Sequence, residues 1–547
     1  MSRRVCSLLV AVFILALVLF PGSSKAADPF ALSVADSTLA DPTKALSDLN
    51  DSVSVHELYS ALSLSTPVFK EGNAFSVNSS LTLFGTDLSF SGVMKLNPGA
   101  TSGAAVASLS ADLTSGSLTL GTLTASAATL EMVIVNGDDG NAGAVYARIT
   151  PKFTVGNVDL NSTVSINATD AGLTFLESLT KTAGAELKLI DFIPDASALT
   201  ALSGFSFESL TRTAYGLSVT GRISGQSVTV ADDLTKEKSF TVTGNGLKLT
   251  NFISEASALA ALSAFAFEKL TYSTDSLTVV GKISGQAVTV VKDLTGDSAY
   301  TVTGAGLKLT DFIKPSSSVP ALSEFAFSKL THSSSVVTVA GEINGEATSV
   351  VFDLTNTKSY TVTGTGLTLK NFVSDAKSVP FLSKYVFTKM THSAAGIVID
   401  GQVGGRDVTV TDDLKTKKTF SLTGAELKLT DFISDASDIA FFKEFDFKKL
   451  VYSDSVLTVT GEASSIDVTI TDDLTKPDTY SATGVDLILT DFVAEASAIP
   501  FLSNFAFESM THSGSIVTIA GKVGGKAVTV TDDQTKKKSY SVTGAGL

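Results

Sequence analysis

Polar and apolar residues alternate over short stretches along most of the chain. Thr301-Val302-Thr303 shows the period of two that is typical of a strand with one buried and one solvent-facing side. The same alternation occurs nearer the N-terminus, in residues 79–84 and 88–93. Short segments rich in Ser, Gly and Asp, such as 284–286, separate these stretches and predict turns. The pattern therefore predicts a mainly β protein with hairpin-length connections.

From residue 181 onward the pattern repeats every 60 residues, without an insertion or a deletion. Two glycines recur, the first followed three residues later by Leu: Gly184, Gly244, Gly304, Gly364, Gly424, Gly484 and Gly544, and Gly221, Gly281, Gly341, Gly401, Gly461 and Gly521. A fixed period is typical of tandem structural units. The sequence predicts six repeats, 181–240, 241–300, 301–360, 361–420, 421–480 and 481–540. Residues 541–547 are expected to begin a seventh repeat or to supply a closing strand.

Each repeat is predicted to contain four or five short strands and one short helix. In the second repeat, residues 247–252 (LKLTNF) are expected to form an extended strand or a strand pair. Ser254 is expected at the helix N-cap and Glu255 in the first turn. Prolines fall in this stretch in three other repeats, at Pro320, Pro380 and Pro500. Because Pro is costly inside a helix, the helix must be short, broken or begin at the proline.

Four aromatic positions recur in every repeat and are expected to mark its buried side. In the second repeat they are Phe252, Phe265, Phe267 and Tyr300. A unit of 60 residues is small for an independent core. Neighbouring repeats are therefore expected to share strands or an interface, with stability that grows with the number of repeats.

Residues 27–180 lack the repeat and are interpreted as a separate N-terminal β-rich domain. Within them, apolar residues at loose helical spacing predict a helix over 41–62. The predicted fold class is mainly β with short helices: an N-terminal β-rich domain followed by tandem 60-residue β-rich repeats that form an elongated array.

Residues 1–26 are predicted to be a secretory signal peptide. Arg3 and Arg4 precede an apolar run, Pro21 ends it, and small residues follow at the cleavage positions. The alternative is a membrane anchor, but the run is shorter than the roughly 20 apolar residues that a spanning helix needs. We therefore expect cleavage after Ala26 and a secreted or surface-exposed chain.

Composition and charge exclude several classes of protein. The only cysteine, Cys6, lies in the predicted signal peptide, so the mature chain has neither a disulfide nor a Cys metal site. Loss of the three basic residues of that segment takes the net charge from −15 to −18. An acidic chain lacks the basic face that nucleic-acid binding needs. With 44% hydrophobic residues, the chain is not disordered by composition.

The histidines do not form a recognisable catalytic or metal-binding motif. Three of the four occupy one repeat position, which other repeats fill with Arg or Tyr: His332, His392 and His512, against Arg212, Tyr272 and Tyr452. We interpret these three as surface residues. His56 has no recognisable partner motif.

Acidic residues recur at two positions of the repeat. The first is Asp233, Asp293, Asp353, Asp413, Asp473 and Asp533, which a second Asp precedes in four repeats, at Asp232, Asp412, Asp472 and Asp532. We interpret it as an Asp that bonds its own turn, with a repeated Ca²⁺ site as the alternative. The second is Asp191, Asn251, Asp311, Asn371, Asp431 and Asp491, interpreted as a turn or cap residue. Two recurrent acidic positions leave the metal alternative open.

Other motifs add little chemistry. Residues 136–141 (NGDDGN) predict a hairpin turn. Asn50, Asn78, Asn161 and Asn167 begin N-x-S/T sequons, which matter only in a glycosylating host. Thr-x-Thr pairs suggest an ice- or polysaccharide-binding face, but the preference of Thr for the wet face of a strand accounts for them. The sequence contains no G-x-S-x-G, H-E-x-x-H, Walker or Rossmann motif.

The recurring residues are those of a fold rather than of a reaction centre, so we expect a secreted or cell-surface repeat protein that acts as an extended structural or adhesive scaffold. In general organisation it resembles repetitive extracellular adhesins. No catalytic, cofactor-binding or metal residue is assigned, no cofactor is expected and an enzyme is not predicted. The expected partners are extracellular or surface macromolecules such as glycans, without nucleic acid and without a transmembrane segment after cleavage. The alternatives are a multivalent module that binds glycan, Ca²⁺ or an apolar ligand, and an enzyme confined to 27–180.

Overall fold

The structure is a computed structural model that describes residues 28–50, 62–137, 144–169, 172–296, 299–356, 358–536 and 539–545. It is mainly β with short helices, which confirms the predicted fold class. The chain divides into two compact units: residues up to 247 together with 268–274, and residues 248–267 together with 275–547. The predicted signal peptide, His56 and residues 138–141 of the predicted hairpin turn lie outside the described residues.

Strands dominate the part of the chain before residue 181. They are β1 (Val68–Glu71), β2 (Ala74–Leu83), β3 (Thr86–Leu96), β4 (Ala105–Ser115), β5 (Leu118–Leu120), β6 (Leu123–Ala125), β7 (Ala128–Val135), β8 (Ala144–Pro151), β9 (Thr154–Val155), β10 (Val158–Asp159), β11 (Asn161–Thr169) and β12 (Gly172–Thr180). A 3₁₀ turn, Pro29–Ala31, and an α-helix, Pro42–Asn50, precede them. The helix confirms the first part of the one predicted over 41–62, and residues 51–61 lie outside the described part.

Four strands recur with each 60-residue period, and we name them A, B, C and D in chain order; strand D begins at the last one or two residues of a repeat and continues into the next. The A strands are β13 (Ser206–Arg212), β17 (Ala266–Tyr272), β21 (Ala326–Ser333), β25 (Val386–Ser393), β29 (Asp446–Ser453) and β33 (Ala506–Ser513). The B strands are β14 (Gly216–Ile223), β18 (Ser276–Ile283), β22 (Val336–Ile343), β26 (Gly396–Val403), β30 (Val456–Ala463) and β34 (Ile516–Val523). The C strands are β15 (Gln226–Asp233), β19 (Gln286–Asp293), β23 (Glu346–Asp353), β27 (Arg406–Asp412), β31 (Ile466–Asp473) and β35 (Lys526–Asp533). The D strands are β16 (Phe240–Gly244), β20 (Tyr300–Thr303), β24 (Tyr360–Gly364), β28 (Thr419–Gly424), β32 (Thr479–Thr483) and β36 (Tyr540–Gly544).

In the first unit, antiparallel pairing runs through β1, β2, β3, β4, β7, β8, β11 and β12, while β5–β6 and β9–β10 are separate hairpins. β12 then pairs with β13, with Glu177 opposite Arg212. Sheet pairing therefore continues across residue 180, where the composition predicts a domain boundary. β13 to β16 follow in order, and β16 pairs with residues 269–272 of β17.

In the second unit, β18 to β36 pair antiparallel in unbroken sequence order. Each D strand of this unit spans a repeat boundary, and all of them except β36 pair with strand C of one repeat and strand A of the next. Val302, for example, lies in the third repeat and is opposite both Val290 of the second repeat and Leu330 of the third. This pairing confirms the prediction that neighbouring repeats share strands or an interface.

A row of apolar side chains crosses the second unit at the centre of its strands. From β29 to β32 it consists of Leu450, Val459, Ile470 and Ala482, each opposite the next and each without exposed surface. Of the four recurrent aromatic positions, two are buried in the second repeat, as predicted: Phe265 and Tyr300. The other two, Phe252 and Phe267, are half-buried and stack on each other at 5.5 Å.

Short helical turns precede each A strand, following β12 in the first repeat and a D strand in the other five. The α-helical ones are Leu249–Phe252, Leu309–Phe312, Pro320–Ser323, Leu369–Phe372 and Leu489–Phe492. The 3₁₀ ones are Leu189–Asp191, Pro194–Ala198, Thr200–Leu202, Ser254–Ala258, Ala260–Ala264, Lys314–Ser318, Ser374–Ser378, Pro380–Lys384, Leu429–Asp431, Ser434–Asp438, Ala440–Glu444, Ala494–Ala498 and Pro500–Asn504. Three prolines begin a turn, which confirms that the predicted helix is short and begins at the proline: Pro320, Pro380 and Pro500.

The strand predicted over 247–252 is wrong. Residues 249–252 form one helical turn, because the Asn251 side-chain oxygen accepts the Lys248 backbone N–H at 2.9 Å and closes the start of the turn. The alternation of Leu247 and Leu249 imitated a strand, whereas Leu249 and Phe252 have the i, i+3 spacing of a helix. The N-cap prediction is also wrong, since Ser254 is the first residue of the next 3₁₀ turn.

The second recurrent glycine lies where the A strand bulges. At Gly221 a Cβ atom would lie 2.6 Å from the ring of Phe205 and would collide with the carbonyl oxygen of Ser206. The same two kinds of neighbour face the equivalent glycine in every repeat. Close packing of an aromatic ring therefore explains why this glycine recurs.

Replacing Gly221 with Ala should destabilise the first unit by about 1–3 kcal/mol, because both a ring and the backbone must move. Urea denaturation of the full chain measures the loss. Gly204→Ala is the matched control, since no atom lies within 4 Å of the position of its Cβ. Equal losses from both variants would contradict the steric explanation.

Candidate functional site

At the repeat junctions an aromatic ring of strand D stacks on a ring of the following strand A. The ring centroids lie 4.6–5.0 Å apart in Phe240–Tyr272, Tyr300–His332, Tyr360–His392, Phe420–Tyr452 and Tyr480–His512. Stacked pairs contribute about 0.5–1.5 kcal/mol beyond the area that they bury. The position is therefore a structural contact between repeats, and it accepts any flat ring.

The prediction that the three repeat histidines lie on the surface is wrong. His332, His392 and His512 are only 3%, 8% and 1% exposed. Each lies opposite a buried aromatic residue of strand D, so the alternation of the strand turns it inward. The repeats place His, Tyr or Arg at this position, which shows that it tolerates different side chains. Such tolerance does not require that the position be exposed.

The buried histidines differ in their hydrogen bonds. His392 Nδ1 donates to the Lys358 carbonyl at 3.3 Å, and Ser318 Oγ lies 3.1 Å from Nε2. Among the described residues, neither ring nitrogen of His332 has a hydrogen-bond partner, and the same holds for His512. Burial lowers the pKa of His332 and His392, because a charged ring would lose its hydration. These rings are suited to packing rather than to proton transfer with a ligand.

The recurrent Asp after strand C bonds its own turn in all six repeats, which confirms that interpretation. In the second repeat, Asp293 Oδ1 accepts the backbone N–H of Thr295 at 2.8 Å and its hydroxyl at 2.7 Å. The other five carboxylates accept turn N–H groups at 2.8–3.1 Å. Hydrogen bonds from Lys236 and Thr235 lower the pKa of Asp233 to about 2, and those from Thr535 and Lys536 do the same for Asp533.

The second recurrent acidic or amide position is a cap, as the sequence suggested. Its oxygen accepts a backbone N–H at 2.7–2.9 Å at the start of the helical turn in every repeat. Asp431 has an additional role, because Arg406 of the preceding repeat donates to both of its oxygens, at 2.6 and 3.0 Å. The first acidic position therefore closes the turn at the end of strand C, and the second caps a helical turn.

A buried ion pair at β12 and β13 was missed by sequence reasoning. Glu177 is 1% exposed, and its Oε2 lies 3.7 Å from Arg212 Nη1. Arg212 also donates to the Thr119 carbonyl at 2.5 Å and lies 4.2 Å from the centre of the Phe84 ring. Burial raises the pKa of Glu177 to about 7, although Arg212 lowers it in part. Only the strand register brings Glu177 and Arg212 together, so no local motif could have revealed the pair.

A shallow cavity in the described part of the region before residue 181 has Ser65, Asn78 and Thr114 in its lining. All of its lining residues are neutral, so it has no group for acid–base chemistry. Three sequon asparagines lie on the solvent face of their strands: Asn78, Asn161 and Asn167.

Within the described parts of the chain, no group of three or more His, Cys, Asp or Glu side chains could hold a metal ion. A search of the same parts finds no helix that is both long and apolar enough to cross a membrane. The chain matches no protein-family model, and no curated protein sequence matches it significantly.

Replacing His332 with Tyr, the residue of two other repeats, should stabilise the chain and reduce its loss of stability in acid. Because the pKa of His332 lies below the unfolded value of about 6.5, wild-type stability falls as the pH drops through that value. The advantage of the variant should therefore grow from pH 7.5 to pH 5.5 in urea denaturation. His392→Tyr is the comparison: burial lowers the pKa of His392 too, so this variant should also gain toward pH 5.5, but the loss of two hydrogen bonds should leave it less stable than His332→Tyr at pH 7.5. An advantage of His332→Tyr that does not change with pH would contradict the explanation.

Replacing Glu177 with Gln should stabilise the first unit at pH 8, by up to about 3 kcal/mol for a pKa raised from 4.5 to about 7. A raised pKa stabilises the folded state below the unfolded value and loses this effect as the pH rises through about 7. The gain should therefore disappear toward pH 4, as thermal unfolding will show. Glu131→Gln, at the half-buried Glu131–Arg148 pair, is the matched control and should show no such gain.

Proposed function

We propose that the chain is a secreted or cell-surface repeat protein that acts as an extended structural or adhesive scaffold. The observation that carries this proposal is that every recurrent residue type has a role in the fold. The glycines admit close packing, the aromatic rings join repeats, and the Asp and Asn side chains close turns. An array of this kind supplies length and multivalency rather than one reaction centre.

A second candidate, a multivalent binding module for a glycan, is favoured by the solvent face of the sheet in the second unit. Strand pairing aligns hydroxyl side chains in one row, interrupted by Val291, Val351, Val398 and Val451. The row consists of Thr278, Thr301, Thr331, Thr338, Thr361, Thr391, Thr411, Ser421, Thr458, Thr471, Ser481, Thr511, Thr518, Thr531 and Ser541. None of these side chains is buried. Regularly spaced hydroxyl groups suit the repeating hydroxyl groups of a polysaccharide.

An enzyme confined to 27–180 has less support. The polar cavity in the described part of that region has no titratable lining residue. Glu177, whose pKa is raised, is buried against Arg212 and does not line that cavity.

Deletion of one whole repeat tests the scaffold proposal. Removing residues 361–420 joins Tyr360 to Ser421 and leaves every D-to-A junction with an equivalent sequence. We expect a folded, secreted chain with a smaller hydrodynamic radius, and weaker adhesion of coated beads to cells or matrix. The matched control removes 361–390, half a repeat, and should misfold because strand register is lost.

Retention of the chain inside the cell would contradict the secreted part of the proposal. Adhesion that stays unchanged when a whole repeat is deleted would contradict the role of the array. Binding to one glycan in proportion to repeat number would favour the second candidate.

A further inference from the structure

One position of strand C points toward the buried side of the sheet, although it is charged in most repeats. In the fifth repeat Asp472 lies opposite Leu457 on one side and Tyr480 on the other, and both of these side chains are buried. The equivalent residues are Asp232, Lys292, Phe352, Asp412 and Asp532. Phe352 is itself buried, which shows that the position belongs to the edge of the core.

The second repeat reveals what this position faces. Lys292 Nζ lies 2.9 Å from Oε1 of Glu255, which is in the second helical turn of the repeat. Both side chains are at most about a quarter exposed. The residue equivalent to Glu255 is acidic in all the repeats with Asp on strand C: Asp195, Asp375, Asp435 and Glu495. Four repeats therefore place two carboxylates where the second repeat has a carboxylate and an ammonium group.

The charged groups around the pair of the fifth repeat do not compensate this arrangement, whereas in the fourth repeat Lys418 interacts electrostatically with Asp375. Asp472 is raised in pKa to about 6, by burial first and then by the charges of Asp435 and Asp473. Lys476 bonds Asp473 instead, at 3.1 Å, and Tyr480 donates to the backbone carbonyl of Asp435.

The strand-C Asp of each of the other three pairs is also partly buried and also lies near other carboxylates. Burial and neighbouring carboxylates raise the pKa of each strand-C Asp: Asp195 and Asp233 act on Asp232, Asp375 and Asp413 act on Asp412, and Glu495 and Asp533 act on Asp532. Two hydrogen bonds act in the opposite direction, from the Leu414 backbone N–H to Asp412 and from the Gln534 amide to Asp532.

We propose that the four carboxylate pairs are acid-responsive elements: each binds a proton more tightly in the folded chain than in the unfolded chain, so the repeat that contains it becomes more stable as the pH falls. The direction follows from linkage. A carboxyl group that binds its proton more tightly in the folded state stabilises that state in acid and ceases to do so as the pH rises through its folded pKa. The second and third repeats lack the pair and should not respond in this way.

The test is thermal unfolding of the full chain in EDTA at pH 7.5 and pH 5.0, for the wild type and for D232N/D412N/D472N/D532N. Asn removes the repulsion, so we expect the variant to melt at least ~2 °C higher at pH 7.5. At pH 5.0 the difference should be smaller, because carboxyl groups of the wild type then bind protons, first of all Asp472, whose pKa is about 6. At this pH the turn carboxylates whose pKa is about 2 remain ionised, and the buried histidines are present in both proteins.

Asp472→Lys provides a second variant that recreates the residue of the second repeat. It should pair with Asp435 and raise the melting temperature at pH 7.5, with a smaller advantage at pH 5.0. A difference between wild type and the Asn variant that is the same at both pH values would overturn the proposal. So would an Asn variant and a Lys variant that are both folded by circular dichroism but less stable than the wild type at pH 7.5.

Discussion

The antiparallel pairing of each D strand with the next A strand fixes the rest of the repeat structure. Side chains alternate across a strand, so a slip of one residue would turn the buried row toward solvent. The register keeps Val302 opposite Leu330 and Val362 opposite Met390, all without exposed surface. An insertion in any strand would break this row in that repeat and at its junctions. The period therefore stays constant at 60 residues, because the strand register does not allow an insertion.

The helical turns add contacts that differ between repeats. Phe381 packs edge-on against Phe432 of the next repeat at 4.9 Å, and Phe441 lies 5.5 Å from Phe492. The first three repeats have Ala at the equivalent position. Arg406 joins one such contact, since it bonds Asp431 and lies 5.4 Å from the Phe381 ring. The sheet therefore provides coupling common to the repeats, and the turns make some junctions stronger than others.

Sequence reasoning predicted the features that depend on local spacing. The strands, the turn Asp of the Asp293 type and the cap of the Asn251 type follow from alternation and turn chemistry, and the structure contains them. The helical turn at 249–252 was missed, because two leucines of a short turn fit a strand equally well. The burial of His332 and the Glu177–Arg212 pair were missed for another reason: both depend on which strand lies opposite, and this is a tertiary property.

The inward-facing row that contains Asp472, Tyr480 and His512 lies at the edge of the core, and its residue types vary between repeats. Phe352 and Tyr452 show that the repeat accepts apolar or uncharged side chains at positions where other repeats have Asp or His. Buried ionisable groups without a partner of opposite charge cost stability. Since uncharged residues fit at these positions, folding alone does not account for the carboxylate pairs of four repeats. Nor does it account for a buried ring such as that of His512, whose nitrogens have no hydrogen-bond partner among the described residues. The ionisable residues of this row are therefore the candidates for chemistry that is particular to this chain, whereas the other recurrent residues build the core.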